Sequence, residues 1–450
     1  MENFIKEEEK DFLNIFQRLK KRDFSGNTGQ AIKNSTYQIA TSLVYKISSI
    51  IFTIVVARLL MPELYGLYGL ALSTIVLFMA FSDFGIGTAL LTFIAKNIDI
   101  DKKKAKGYYN FLFKYKLILI VIISFILIVT SYYISNIYYN KPIFYALLAG
   151  ALYIPTYQLM TYFIYFFVAQ NNLKIGLINE TIVQFLRLIF VPLAIILFLG
   201  KVNNEILLLI IFLVITFAYF VGMLFLYFSI HKQKFIEIKE EQLTKDEKKE
   251  LNKFILPLSI TALSGLFFGS IDLLILGHFV ESIFLGYFQA AFNLIGSATA
   301  IVAFSGTALF PILSKLKGEQ FEKGFNKGMI ITGLIAISAT IFTFTFAKWI
   351  ILIIYGKEYI NAVLLLQLLS LLLINIPLCG LYGSYYFIQK KTKMYSVLLI
   401  ISTLINIILN YLFIIALLPQ GMMQAVIGSC VATIISRYMF LFGLIFFRKR

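Results

Sequence analysis

Residues 175–199 read IGLINETIVQFLRLIFVPLAIILFL and contain only two charged side chains, Glu180 and Arg187. The run matches the ~20 apolar residues that a helix needs to cross a bilayer. It lacks the alternation of a half-buried strand. In hydrocarbon the backbone must satisfy its own hydrogen bonds, so the stretch reads as a transmembrane helix. Glu180, Gln184 and Arg187 stand at i, i+4 and i+7, on one face of that helix. Arg187 would lie about 18 Å along the helix from Ile175, too deep for easy snorkelling.

Eleven similar windows flank this one. The twelve expected spans are 35–59, 66–95, 117–135, 143–169, 175–199, 205–229, 254–279, 284–311, 329–352, 361–388, 394–418 and 422–446. The 450-residue chain is 60% hydrophobic and only 14% charged, which excludes an ordinary soluble enzyme and a disordered chain. The fold class is therefore an all-α integral membrane protein. Two cysteines inside apolar runs, Cys379 and Cys430, support neither a disulfide framework nor a metal site. No Gly-x-x-x-x-Gly-Lys-Ser/Thr loop is present, so the chain is not itself expected to hydrolyse ATP. No catalytic site, cofactor or metal is expected.

The net charge of +17 is a topology signal. Alternate connecting segments, together with both ends, hold 32 Lys and Arg, and the opposite loops hold only Lys141, Lys201 and Lys357. Both termini are thus expected in the cytoplasm of a multi-pass cell-membrane protein, with no nucleic-acid partner. Residues 1–34 form a cytosolic segment whose Phe12, Leu13, Phe16 and Leu19 share a helical face suited to the inner leaflet, or else a solvated tail. Residues 230–253 are expected to be a helical cytosolic linker between lobes at 35–229 and 254–446, with a tail at 447–450.

The lobes repeat. Gly66-x-Tyr68-x-x-Ala71 recurs as Gly286-x-Phe288-x-x-Ala291, and Gly87-Thr88-Ala89-Leu90 as Gly306-Thr307-Ala308-Leu309. Both halves begin on the same side and hold six spans. They are parallel repeats about an axis along the membrane normal, an architecture suited to alternating access.

Two stretches carry a family resemblance: Ala57-Arg58-Leu59-Leu60-Met61-Pro62-Glu63-x-Tyr65-Gly66-Leu67-Tyr68, and Asp83-Phe84-Gly85-Ile86-Gly87-Thr88-Ala89-Leu90. Asp272 to Gly277, Leu285-Gly286-Tyr287, Phe310-Pro311, Ile354-Tyr355-Gly356-Lys357-Glu358-Tyr359 and Asn406-x-x-x-Asn410 extend it. The chain resembles the polysaccharide and O-antigen flippases of the multidrug/oligosaccharidyl-lipid/polysaccharide exporter superfamily. The resemblance implies two six-helix lobes around a central cavity. It also implies transfer of a polyprenyl- or dolichyl-linked oligosaccharide to the outer leaflet.

Charged groups at membrane depth mark candidate sites. Arg187, Lys46, Gln184 and Arg437 are the candidate head-group ligands. Lys46 shares a face with Ser42, Ser49 and Thr53. Asp272, Glu180 and Asp83 are candidates for ion coupling or charge pairing. Asp272 would hold a coupling cation or neutralise a nearby base, Asp83 would bond to local backbone beside Gly85 and Gly87, and Glu180 would pair with Arg187 if the stripe is structural. Arg58 is expected to be structural at the outer interface. Asn406 and Asn410 are expected to bond neighbouring helices. The expected partners are a lipid-linked glycan, membrane lipids and glycan-assembly proteins, around a monomeric transport unit. The energy source is open, with coupling to an H⁺ or Na⁺ gradient one option. Two other readings remain. A cation-coupled multidrug antiporter would rely on embedded carboxylates, and a membrane glycan polymerase or ligase would need a sizeable outer loop.

Overall fold

The computed structural model describes residues 26–307 and 318–449. The segment 1–25, which holds the expected amphipathic face, and residues 308–317, which hold Phe310-Pro311 and the end of the second repeat motif, lie outside the described residues. So do the side chains at 26–29, 31–32, 236, 256–258, 260–270, 301, 303–307 and 449.

The N-terminal half comprises α1 (Gly26–Phe81), α2 (Ile86–Asn97), α3 (Lys102–Tyr132), α4 (Phe144–Ala169), α5 (Leu173–Phe198) and α6 (Asn204–Lys232). The C-terminal half comprises α7 (Lys245–Phe279), α8 (Ser282–Thr307), α9 (Gly318–Ile354), α10 (Val363–Leu369), α11 (Leu372–Ile388), α12 (Thr392–Leu417) and α13 (Met422–Phe446). Among the described residues, nine helices are long and apolar enough to cross a membrane, and ten if the α10–α11 pair, bent by 46°, is one broken span. One of these runs, Lys33–Phe81, contains the expected window 35–59 and the first part of 66–95.

Those two windows are divided by a single residue. Met61 has φ 60° and ψ 169°, and helix resumes at Pro62. Proline favours extended geometry in the residue before it and suits the first position of a helix. The next expected span, 66–95, is itself interrupted. The chain turns at Ser82–Gly85, with positive φ at Phe84 and Gly85, before α2 begins.

The linker differs from the expected helix. Helix stops at Lys232 and resumes at Lys245, where Thr244 and Glu247 form a capping box. Between them the backbone finds partners on α3. The Glu241 amide donates to the Lys103 carbonyl at 3.1 Å, Asn110 bonds Glu240, and Phe235 is buried against Tyr109 and Phe166. A side chain at Gly107 would overlap the Glu241 carbonyl, so glycine lets this strap lie flat on α3.

Within the N-terminal half α4 packs on α6, and α5 on α1 and α6. In the C-terminal half α12 packs on α13 and α7, and α11 on α8 and α9. The halves meet through α1 and α8 at the end of the bundle opposite the termini, called the distal end below. There the repeat-related Gly66 and Gly286 bring the two backbones together. Two cations of the N-terminal half cover helix C-termini of the other half. Arg58 donates from Nε to the Ile354 carbonyl at 2.7 Å and also bonds the Ile353 carbonyl, at the end of α9. Lys141 donates to the Gly277 carbonyl at 2.7 Å, near the end of α7. The last carbonyls of a helix lack internal partners and carry partial negative charge, which favours a cation there. Tyr359 donates to the Ala57 carbonyl at 2.8 Å and Asn293 to the Tyr65 hydroxyl at 2.8 Å. The distal seam is thus closed by polar bonds around a glycine contact.

Candidate functional site

Beneath the seam lies a cavity of about 660 Å³. Its walls come from α1, α4, α5 and α6, and Gln289 and Asn293 of α8 cover one side. Seven tyrosines line it: Tyr45, Tyr65, Tyr68, Tyr153, Tyr157, Tyr165 and Tyr219. Tyr153 and Tyr157 are one helical turn apart on α4, and Tyr219 of α6 contacts both rings at 5.3 Å. The lining reaches from Tyr65, beside the seam, to Asp83 and Glu180, nearer the opposite, proximal end. Tyrosine presents an apolar ring face and a polar hydroxyl, so the wall offers stacking surfaces and hydrogen-bonding groups together.

Arg187 is the cation of this cavity. It stands 14 residues after the start of α5, about 21 Å along the axis. Its guanidinium lies 4.2 Å from the centre of the Phe52 ring, and Nη1 donates to the Tyr219 hydroxyl at 3.3 Å. Its Nε is buried without a hydrogen-bond partner. No salt bridge joins Glu180 to Arg187, although the two charges interact across the cavity. Glu180 accepts instead from Gln184 Nε2 at 2.6 Å, one turn further along the same helix. The expected stripe therefore separates into a Glu180–Gln184 pair and a guanidinium held by aromatic groups.

Lys46 falls elsewhere. Ser49 and Thr53 line the cavity, but Lys46 is exposed and is not among the lining residues. The inward direction of α1 is set by Tyr45, Ser49, Phe52, Thr53 and Val56. Lys46 points about 75° away from their mean at 100° per residue.

Asp83 lines the cavity and, in place of the expected local backbone bond, forms a buried network. Lys116 of α3, 1% exposed, donates to Asp83 Oδ1 at 2.5 Å and to Gln158 Oε1 at 2.8 Å. Gln158 Nε2 donates onward to the Ser82 hydroxyl and the Met79 carbonyl, both at 2.6 Å. Lys116 is absent from the sequence-derived candidates because the basic run before it was assigned to the cytosol. The available cue was the lack of Gly or Pro from Tyr108 to Tyr132: one unbroken α3 carries Lys116 about 21 Å along the helix from Lys102, clear of the basic run and beside Asp83. Gln158 and the tyrosines had no comparable cue, since residues of these types recur along many spans.

Asp272 and Arg437 lie in a different place, inside the C-terminal half. Asp272 accepts from Asn410 Nδ2 at 2.7 Å, and Asn410 accepts from the Ser429 hydroxyl at 2.5 Å. Asn406 donates to Ser436 at 3.0 Å, and Asn375 donates to the Arg437 carbonyl at 2.8 Å. Arg437 interacts electrostatically with Asp272, and both are buried. Arg437 is thus part of a packed polar core rather than the tyrosine cavity. Asp272 also borders a small cavity of about 200 Å³ between the halves, which shares Leu72, Val76, Gln289 and Asn293 with the larger one.

The model of a family described as polysaccharide biosynthesis protein matches residues 31–317. No curated protein matches the sequence. Among solved structures, an inward-facing multidrug-resistance MATE transporter of the MOP superfamily superposes with a TM-score of 0.67 at 16% identity, covering 89% of this chain and 93% of that one. The lipid II flippase MurJ, in an inward closed conformation, gives 0.64 at 17% identity, with 90% and 87% covered. A eukaryotic MATE transporter gives 0.57 at 14% identity, with 91% and 95% covered. The chain belongs to the polysaccharide biosynthesis protein family and carries the membrane-transporter fold of the MOP superfamily.

Proposed function

We propose that this protein moves a lipid-linked oligosaccharide across the cell membrane by alternating access, loading it from the cytosol. The observation that carries this reading is Arg187. It is a cation at membrane depth in a tyrosine-lined cavity, and among the described residues no carboxylate is salt-bridged to it. A guanidinium can grip a phosphate or pyrophosphate through two parallel hydrogen bonds. Tyrosine rings suit the apolar faces of sugars, and their hydroxyls suit sugar hydroxyls. The carboxylate of Asp83, by contrast, is already answered by Lys116.

The basic-residue distribution supports a cytosolic proximal end. With the distal seam closed, the head group enters from that side while its lipid tail remains in hydrocarbon. Release outside requires the Gly66–Gly286 seam to part and the proximal ends to close. The shared fold of the lipid II flippase MurJ supports this reading. Arg187→Ala is expected to abolish glycan delivery while the protein stays in the membrane at normal level. Normal delivery by that variant removes Arg187 from the mechanism.

The second reading is a cation-coupled multidrug antiporter. It is favoured by the MATE relatives and by buried Asp272, which would serve there as the H⁺ or Na⁺ coupling group. Drug resistance that disappears when ion gradients are dissipated, with glycan delivery unaffected by loss of the gene, would select it. In both readings the chain transports and does not catalyse.

A further inference from the structure

We propose that the lysine face at the start of α7 binds the phosphate of an anionic inner-leaflet phospholipid, whose acyl chains lie along α3. The first turns of α7 are sorted by charge. At 100° per residue, Lys245, Lys248, Lys249, Asn252 and Lys253 fall within an arc of about 140°. Asp246 flanks the arc beside Lys253, while Glu247 and Glu250 fall on the other side, and Glu247 is drawn onto Lys104 of α3 at 2.5 Å. The lysine arc and Asn252 border a shallow groove of about 510 Å³, wide open to solvent, whose lining holds no carboxylate. They directly precede the apolar part of α7, at the level where lipid head groups lie.

An independent feature continues the groove into the membrane. Lys248 Nζ lies 5.5 Å from the centre of the Phe111 ring, and Phe111 packs on Tyr115 at 4.8 Å. Tyr115 begins an exposed stripe on α3 formed by Tyr115, Ile118, Ile122, Phe125, Val129 and Tyr132. The spacing of three and four residues keeps this stripe on one face. It runs about 25 Å, longer than one leaflet of ~15 Å. A ligand that bridges both features needs a phosphate and acyl chains. The groove shares no residue with the tyrosine cavity, which sets it apart from the proposed head-group site.

The test uses the full-length protein in neutral detergent, titrated with phosphatidylglycerol or with phosphatidylcholine and read by native mass spectrometry. Wild type is expected to retain phosphatidylglycerol over phosphatidylcholine, with binding that weakens as salt rises. The variant K248Q/K249Q/K253Q is expected to lose on the order of tenfold or more in apparent affinity. The variant K390Q/K391Q/K393Q, which removes the same charge from another exposed proximal loop, is expected to bind as wild type does. Size-exclusion profiles verify folding, and the salt titration of wild type requires no mutation. Equal retention by both triple variants, or salt-independent binding, overturns the proposal. So does a groove that takes polyprenyl phosphate in preference to phosphatidylglycerol, because the site would then belong to the substrate.

Discussion

Gly66 and Gly286, equivalent residues of the two repeats, pack directly against each other. A methyl group on Gly66 would stand 2.7 Å from the Gly286 nitrogen and would overlap the Ser282 carbonyl, while one on Gly286 would overlap the Pro62 carbonyl. Pro62 and Ser282 are separated by the same number of residues as the two glycines, so the contact is reciprocal, as in a two-fold interface. Gly66→Ala or Gly286→Ala is expected to destabilise the closed seam by about 1–3 kcal/mol, the usual scale of overpacking. A cysteine introduced at Tyr65 reads the effect, since Cys379 and Cys430 are both buried. Labelling from the outer side should rise in the alanine variants. Unchanged labelling would show that the seam does not hold the cavity closed.

The Lys116–Asp83 pair predicts an asymmetric double-mutant cycle. Asp83→Asn leaves a buried ammonium without its counter-charge and is expected to cost about 3–5 kcal/mol. Lys116→Met leaves a carboxylate whose side chain is still 35% exposed to the cavity, so its cost should be smaller. The double variant should be more stable than Asp83→Asn alone. Thermal unfolding in detergent measures all three, and strict additivity would refute the coupling.

Arg58 and Lys141 predict a second distal effect. Removing either cation uncovers carbonyls at a helix C-terminus, at an expected cost of about 0.3–2 kcal/mol. Arg58→Lys should retain part of the interaction with α9 but lose one of the two carbonyl bonds. Export rates should therefore fall in the order wild type, Arg58→Lys, Arg58→Ala. Equal export by all three would leave the cap without a role in gating.

The strap carries a pH prediction. The hydrogen bond from the Lys104 ammonium holds the Glu247 carboxyl below its usual range, assisted by the Thr244 amide. A depressed folded-state pKa means that the stabilisation is complete above the unfolded value of about 4.3. It is lost as pH falls through the folded value. Glu247→Gln should therefore unfold at a midpoint less sensitive to pH in the acid range. Parallel pH profiles for wild type and variant would contradict the assignment.

Much of the fold was legible because lipid imposes a simple rule on sequence: long apolar windows, basic residues concentrated between alternate pairs. Among the described residues the twelve windows lie mostly on helix, with breaks inside 66–95 and 361–388. What the windows hide is rotation about each helix axis. Lys46 shares a face with Ser49 and Thr53, yet a turn of about 75° separates it from the direction the cavity selects. Lys116 was hidden for another reason. A charge near the end of a basic run looks cytosolic until α3 is known to continue without a break. Asp83 and Lys116 are 33 residues apart, and Gly66 and Gly286 are 220 apart; only packing brings such pairs together. The linker misled because its Lys- and Glu-rich composition suits helix, while its backbone bonds to α3 instead.

The distal glycine contact has a mechanical corollary. From Pro62 to Phe81 the helix extends about 28 Å. If the halves pivot where Gly66 meets Gly286, about 22 Å of that helix lies beyond the fulcrum, and a tilt of about 10° barely moves the two backbones there but sweeps the far end through about 4 Å. The fulcrum is steep in its geometry: one added methyl there acts on a lever many times its own length. Small residues at such a point thus do more than admit close packing. They set the gain between a sub-ångström misfit at one membrane face and the width of the opening at the other.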